Sequence, residues 1–180
     1  MNLIDHLNNL KKSQKNIYTY VMDDKEENNK LKERLSSHLK DGGYKTPEDS
    51  KDYDILLDTY IKYIFETQDF KPFYYFDAPF LTCWNRPVYW ETLDYIKYEW
   101  GHLYPSGVDE NDNPVDILEN LSLQSGRCNN HIQSGLSVDR VKLYGGKLEE
   151  RINQVQAKRQ ELFQSEKWKQ LKKEFSKYKE

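Results

Sequence analysis

The stretch Glu99-Trp100-Gly101-His102-Leu103-Tyr104-Pro105 decides how this chain is read, together with Glu119-Asn120-Leu121-Ser122-Leu123 and Arg127-Cys128-Asn129-Asn130-His131. Leu103-Tyr104 reads as a short strand with His102 at its edge. Ser106–Asp116 carries Gly107, Asp109, Asn111, Asp112, Asn113 and Pro114, residue types that close turns by accepting positive φ or by bonding their own backbone. Leu121-Ser122-Leu123 alternates as a second strand does. A helix is expected to open near Asn129, to carry Ile132, Leu136 and Val141, and to end at Gly145-Gly146. The segment therefore predicts strand, loop, strand and helix.

This order and spacing resembles the HNH, or ββα-metal, nuclease family. There a histidine ends one strand of a small hairpin, an asparagine follows after a loop, and a histidine or asparagine lies nine positions further on at the start of a helix; Asn120 and Asn129 have that separation. The resemblance covers roughly residues 95–142. It implies that His102 is a general base, with an unperturbed pKa near ~6.5 that suits neutral pH. It implies that Asn129 places its amide oxygen on a divalent cation, Mg²⁺ or Mn²⁺, as hard oxygen ligands favour. Asn120 would bond across the loop and hold the histidine backbone. One departure stands out: many members carry an acid or histidine ligand just before the base, where this chain has Gly101. A second ligand must come from elsewhere. Glu99 lies two residues before Gly101 and so shares its face of a strand; His131, Asp116 and Glu119 are alternatives. Arg127, Arg140 and Lys142 flank the proposed metal helix as phosphate contacts, and Asn130, His131 and Gln133 project from its first turn toward backbone or base edges.

Outside this segment the chain reads as helical. Residues 3–22 and the Leu31, Leu35, Leu39 repeat suggest a helical hairpin or one long broken helix, ended by Gly42-Gly43, that serves as a packing layer or a dimerisation arm. Thr46-Pro47-Glu48-Asp49 looks like a helix start, with Thr46 as cap, before a core helix through Ile55, Leu56, Tyr60, Ile61, Ile64 and Phe65. Pro72, Pro79 and Pro87 break an aromatic stretch into short extended pieces and turns. Thr92–Trp100 suits a strand or a helix feeding one. Lys147–Lys179 reads as one long charged helix.

Composition narrows the class. Of 180 residues, 37% are apolar and 32% charged, and Tyr appears 14 times. No apolar run approaches the ~20 residues that span a bilayer. The polar opening Met1-Asn2-Leu3-Ile4-Asp5-His6 lacks a leader core, so a cytoplasmic place, in a bacterial or phage-infected cell, is expected. Only Cys83 and Cys128 occur, which excludes a four-cysteine zinc site within one chain; Ser125 stands where the first cysteine of such a ribbon would be, so no structural zinc is expected. The net charge is −3, yet residues 142–180 hold eleven basic and six acidic residues, a balance of +5.

The expected fold class is α+β, mostly helical, with a small ββα unit in the C-terminal half. The expected organisation is a helical region over 1–90, the catalytic unit over 91–146 and a basic helix over 147–180. The expected function is a restriction-type or phage-encoded DNA endonuclease acting on double-stranded DNA as a homodimer, one hairpin per strand. A non-catalytic DNA- or protein-binding factor that keeps the shape is the alternative, and an RNA-directed nuclease the third.

Overall fold

In a computed structural model the described residues are 25–47, 50–74, 82–83, 86–87, 98–126 and 128–179. The helix expected over 3–22 lies outside them. The fold is α+β and mostly helical, with two small two-stranded antiparallel sheets.

Helix α1 (Lys25–Asp41) turns Leu31, Leu35 and Leu39 inward, one per turn, and ends at Gly42 and Gly43, the latter at φ 84°. Helix α2 (Lys51–Thr67) begins later than Thr46-Pro47 suggested. Ser50 is its cap, accepting the Tyr53 amide at 3.3 Å. Its inward face is Tyr53, Leu56, Leu57, Tyr60, Ile61, Ile64 and Phe65, while Ile55, expected in the core, is 63% exposed. Two short strands, β1 (Thr82–Cys83) and β2 (Arg86–Pro87), pair antiparallel in the proline-broken stretch.

Strand β3 (Tyr98–His102) pairs antiparallel with β4 (Leu121–Ser125) in the register Trp100 to Leu123, Gly101 to Ser122 and His102 to Leu121. The first strand thus ends where Leu103-Tyr104 was expected to begin it. A one-turn helix α3 (Ile117–Asn120), capped by Asp116, feeds β4.

The helix expected from Asn129 through Val141 is two pieces. A π-helical turn spans Cys128–Gln133, and Ser134 and Gly135 then adopt φ 41° and 82°, which no helix continues through. Ser137 caps a second piece, α4 (Val138–Lys142). Gly145 does not stop that helix but precedes the next, α5 (Gly146–Gln164). The single long terminal helix is likewise broken: Ser165 ends α5 and caps α6 (Glu166–Ser176) by accepting from the Trp168 amide.

One face of the β3–β4 pair, with Trp100, Leu121 and Leu123, joins α1, α2, α5 and α6 in a buried cluster around Tyr60, Trp168 and Phe175. The core therefore draws on all three expected segments. The outer edge of β4 is closed by Gln68, whose carboxamide bonds both the N–H and the C=O of Leu123 at 3.0 and 2.8 Å, as a neighbouring strand would. The basic residues of α5 and α6 act as clasps. Arg151 donates to the carbonyls of Gln68, Pro72 and Phe73, Arg159 to those of Glu119 and Leu121, and Lys172 pairs with Asp116 and Glu119. Among the described residues no helix is long and apolar enough to cross a membrane.

Candidate functional site

The loop between β3 and β4 is clamped at its neck. Asn120 accepts the Tyr104 amide at 2.8 Å through Oδ1 and donates to the Tyr104 carbonyl at 2.9 Å through Nδ2, while the Leu103 amide bonds the Asn120 carbonyl at 2.8 Å. Asn120 is fully buried, so these bonds replace water outright. Further out, Asp109 accepts from the amides of Asn111 and Asn113, which holds its carboxyl below the usual carboxylate range, and Val108 bridges to Pro114. The result is a closed loop whose base lies against the residue following His102.

His102 ends β3 and is half-buried. Its ring meets His38 of α1 edge-on, with centroids 4.9 Å apart. Burial lowers its pKa first and the neighbouring imidazole lowers it further, against a weaker opposing pull from Asp41. His38 is lowered in the same way, by burial. Both shifts favour the neutral imidazole, the form with a lone pair on one ring nitrogen. An open cleft beside His102 is lined by Asp41, Asp116, Asn120, Pro105 and Lys179.

The opposite face of β3 carries Glu99 and Gly101. Asn129, in the π turn, donates to the Glu99 carboxylate at 3.4 Å. A Cβ on Gly101 would lie 2.3 Å from Gln124 Nε2 and 2.8 Å from Asn129 Oδ1. The space an acidic ligand would start from is therefore filled by a carboxamide from the paired strand. That carboxamide donates to Ser122 Oγ at 3.0 Å and Gln133 Oε1 at 2.5 Å, and Gln133 donates in turn to the His102 carbonyl. Gln124 is fully buried, and its Oε1 has no hydrogen-bond partner among the described residues. The oxygen donors on this face, Glu99, Asn129 and Gln124, suit a hard divalent cation in chemical type.

The expected residues fall into groups. Glu99 and Asn129 come together. Asn120 grips the loop. His102 projects from β3 away from both, because successive strand residues face opposite sides and Trp100, two before it, donates to the Leu31 carbonyl of α1. Gln133 was expected at a DNA-facing surface, but it is buried and spends both ends of its amide inside the protein. Asn130 and Arg140 are exposed; Asn130 donates to the Gly126 carbonyl, and Arg140 approaches Glu110 at 3.9 Å. Lys142 ends α4 and is partly exposed. Arg127 lies outside the described residues, as does the side chain of His131. Asp116 and Glu119, the other ligand alternatives, are both paired with Lys172, and Asp116 also lines the cleft beside His102.

Three contributors escaped sequence reading. His38 sits one turn before the Gly42-Gly43 stop, and nothing in that helix's own repeat points to β3. Gln68 follows α2 and closes an edge that only the tertiary fold brings to it. Gln124 had a signal: in a hairpin of this register it shares a face with Gly101, and a glycine there leaves room for a long polar side chain.

Compared with known proteins, the chain matches no family model, no curated protein and no solved structure.

Proposed function

We propose that this chain is a metal-dependent DNA endonuclease of the ββα-metal type, restriction-type or phage-encoded. It hydrolyses phosphodiester bonds with His102 as general base and one divalent cation, Mg²⁺ or Mn²⁺. The observation that carries this reading is the grip of Asn120 on both polar atoms of the Tyr104 backbone, two residues after His102. The family's asparagine bonds across the loop to hold the histidine backbone; here the grip falls on Tyr104, and the His102 carbonyl itself is taken by Gln133.

The role of each residue follows from its chemistry. The neutral His102 imidazole takes the proton of the attacking water. Glu99 and Asn129 would hold the cation, with His131 as a further donor, and a cation bound there would supply positive charge against the negative charge growing on the phosphate and leaving 3′-oxygens. Asn130, Arg140, Lys142 and Arg127 contact the duplex backbone, which positions it without reading sequence. Two copies of the chain cut the two strands of double-stranded DNA.

A second reading is favoured by the filled slot beside Gly101 and by the turn of His102 toward α1. In it the chain binds DNA or protein through the same shape and catalyses nothing. Plasmid incubated with Mg²⁺ or Mn²⁺ separates the two. The nuclease reading expects nicked or linear product from the wild type, none from His102→Ala or Asn129→Ala, and retained DNA affinity of Asn129→Ala in Ca²⁺. Intact plasmid and intact modified phage DNA with the wild type would leave the binder standing.

A further inference from the structure

We infer that Gln124 supplies the cation ligand that residue 101 lacks, so that the ligand has moved from β3 to the facing position on β4. The inference rests on the metal-dependent reading above and adds a residue to its cation site. Three observations meet at one place. Gly101 has no side chain, and the volume its Cβ would take is occupied by the Gln124 carboxamide, with Nε2 at 2.3 Å and Cδ at 2.6 Å. The same point lies 2.8 Å from Asn129 Oδ1, the oxygen expected on the cation. Gln124 Oε1 is buried and has no hydrogen-bond partner among the described residues.

The third observation turns packing into chemistry. An unpaired buried carbonyl oxygen costs roughly 1–3 kcal/mol, and native proteins keep few of them. The nitrogen arm of this carboxamide is spent on Ser122 and Gln133, which leaves the oxygen as the arm turned away from both. Glu99 stands directly opposite Gln124 in the strand register, and Asn129 Oδ1 approaches the same Gly101 position as the Gln124 carboxamide. Glu99 already meets the Asn129 amide at 3.4 Å. A carboxylate and two amide oxygens form a hard, low-charge donor set, suited to a cation that keeps several waters. The network also fixes Gln124's direction, because Gln133 and Ser122 are themselves anchored on the His102 and Gly101 carbonyls.

Mn²⁺ affinity of the full chain, read from the electron paramagnetic resonance of free Mn²⁺ with no DNA present, tests this apart from activity. Gln124→Leu should weaken Mn²⁺ binding by at least tenfold, and Gln124→Glu should tighten it by a similar factor. Gly101→Asp combined with Gln124→Ala, which returns the ligand to β3, should restore binding that Gln124→Ala loses. Urea unfolding of each variant guards against loss of fold, and Gln124→Glu, close to isosteric, keeps the test open if Gln124→Leu does not fold. Wild-type affinity in Gln124→Leu together with an unchanged Gln124→Glu would overturn the assignment while leaving a cation site on Glu99 and Asn129. A wild-type chain that takes up no Mn²⁺ would sink the metal-dependent reading and this assignment with it.

Discussion

Gly101 and Gln124 should be energetically coupled, and the size of the coupling follows from the distances. In Gly101→Ala the new methyl would stand 2.3 Å from Nε2, 2.6 Å from Cδ and 2.8 Å from Asn129 Oδ1, all inside van der Waals contact. Backbone pairing holds residue 101 in register, so the carboxamide has to move. Moving it breaks donations to Ser122 and Gln133 at 3.0 and 2.5 Å. Overpacking of this kind costs about 1–3 kcal/mol and each lost bond about 1 kcal/mol, so the single change should cost about 3 kcal/mol. Gln124→Ala loses the same two bonds and leaves the Gln133 oxygen unpaired in the interior, again about 3 kcal/mol. The double variant should cost far less than the sum. The alanine methyl at 101 enters space already vacated, and no bond remains for it to break. Urea unfolding of all four chains, with unchanged denaturant slopes, should give a coupling of about 2 kcal/mol. Additivity within about 0.5 kcal/mol would refute the reasoning, because it would mean the two side chains do not compete for one volume.

Asn120→Ala should cost about 3 kcal/mol, since two buried bonds go and both Tyr104 backbone groups lose their partner; hydrogen exchange should show the Tyr104 amide exposed well before global unfolding. Arg159→Ala should cost a similar amount, about 3 kcal/mol in thermal or urea unfolding, by orphaning the Glu119 and Leu121 carbonyls on either side of the α3–β4 junction, and Arg159→Lys should recover part of it because both bonds leave from the single nitrogen Nη2. His38 and His102 both have folded pKa values below their unfolded one, chiefly through burial, so the unfolded chain binds more protons as pH falls below about 6.5. Their stabilising contribution is full above that pH and is lost on acidification. The urea midpoint should drop between pH 7.5 and 5.5, and less so in His38→Leu; an equal drop in both would place the titration elsewhere.

Much of the helical frame was legible because burial repeats along it. Leu31, Leu35 and Leu39 mark one face of α1, and Tyr53 through Phe65 mark α2, since these helices pack one side only. The hairpin was legible to within a few residues from the turn chemistry of Gly107–Pro114 flanked by short apolar pieces. The helix breaks were not. Gly135 and Ser165 are local break signals, a positive-φ glycine and a cap, that the apolar repeat running across them masks; only the fold shows that the chain after the first break is held by the Leu103 carbonyl, which takes the Val138 amide at 2.7 Å. Charge was misleading for a related reason. The +5 balance of residues 142–180 looks like surface charge, yet Arg151, Lys158, Arg159, Lys167 and Lys172 are paired with carbonyls and acids of earlier segments. Sequence gives the sum of charges and not their partners. At the site, Asn120, Asn129 and Glu99 were legible from spacing, whereas Gln124 and His38 depend on which strand faces which helix.

The two faces of β3 set the remaining constraint on how such a site could work. His102 leaves toward α1 and the Glu99–Asn129 pair toward the π turn, so no ligand lying over one face of the strand can touch both. A single phosphate can meet an imidazole and a cation placed in this way only at the end of the strand, where the two faces meet. His102 is the last residue of β3, and the chain beyond it stays beside β4, with the Leu103 amide bonded to the Asn120 carbonyl in the same register and Tyr104 held by the Asn120 side chain. What still covers the imidazole is the last turn of α1, through His38. If the chain cuts DNA, the end of α1 is the element that must yield to substrate. It stops at Gly42-Gly43, with Gly43 in a positive-φ conformation that glycine alone adopts without strain and the amides of Gly42, Gly43 and Tyr44 bonded back to the carbonyls of His38, Lys40 and Leu39, so moving the covering turn means breaking this cap.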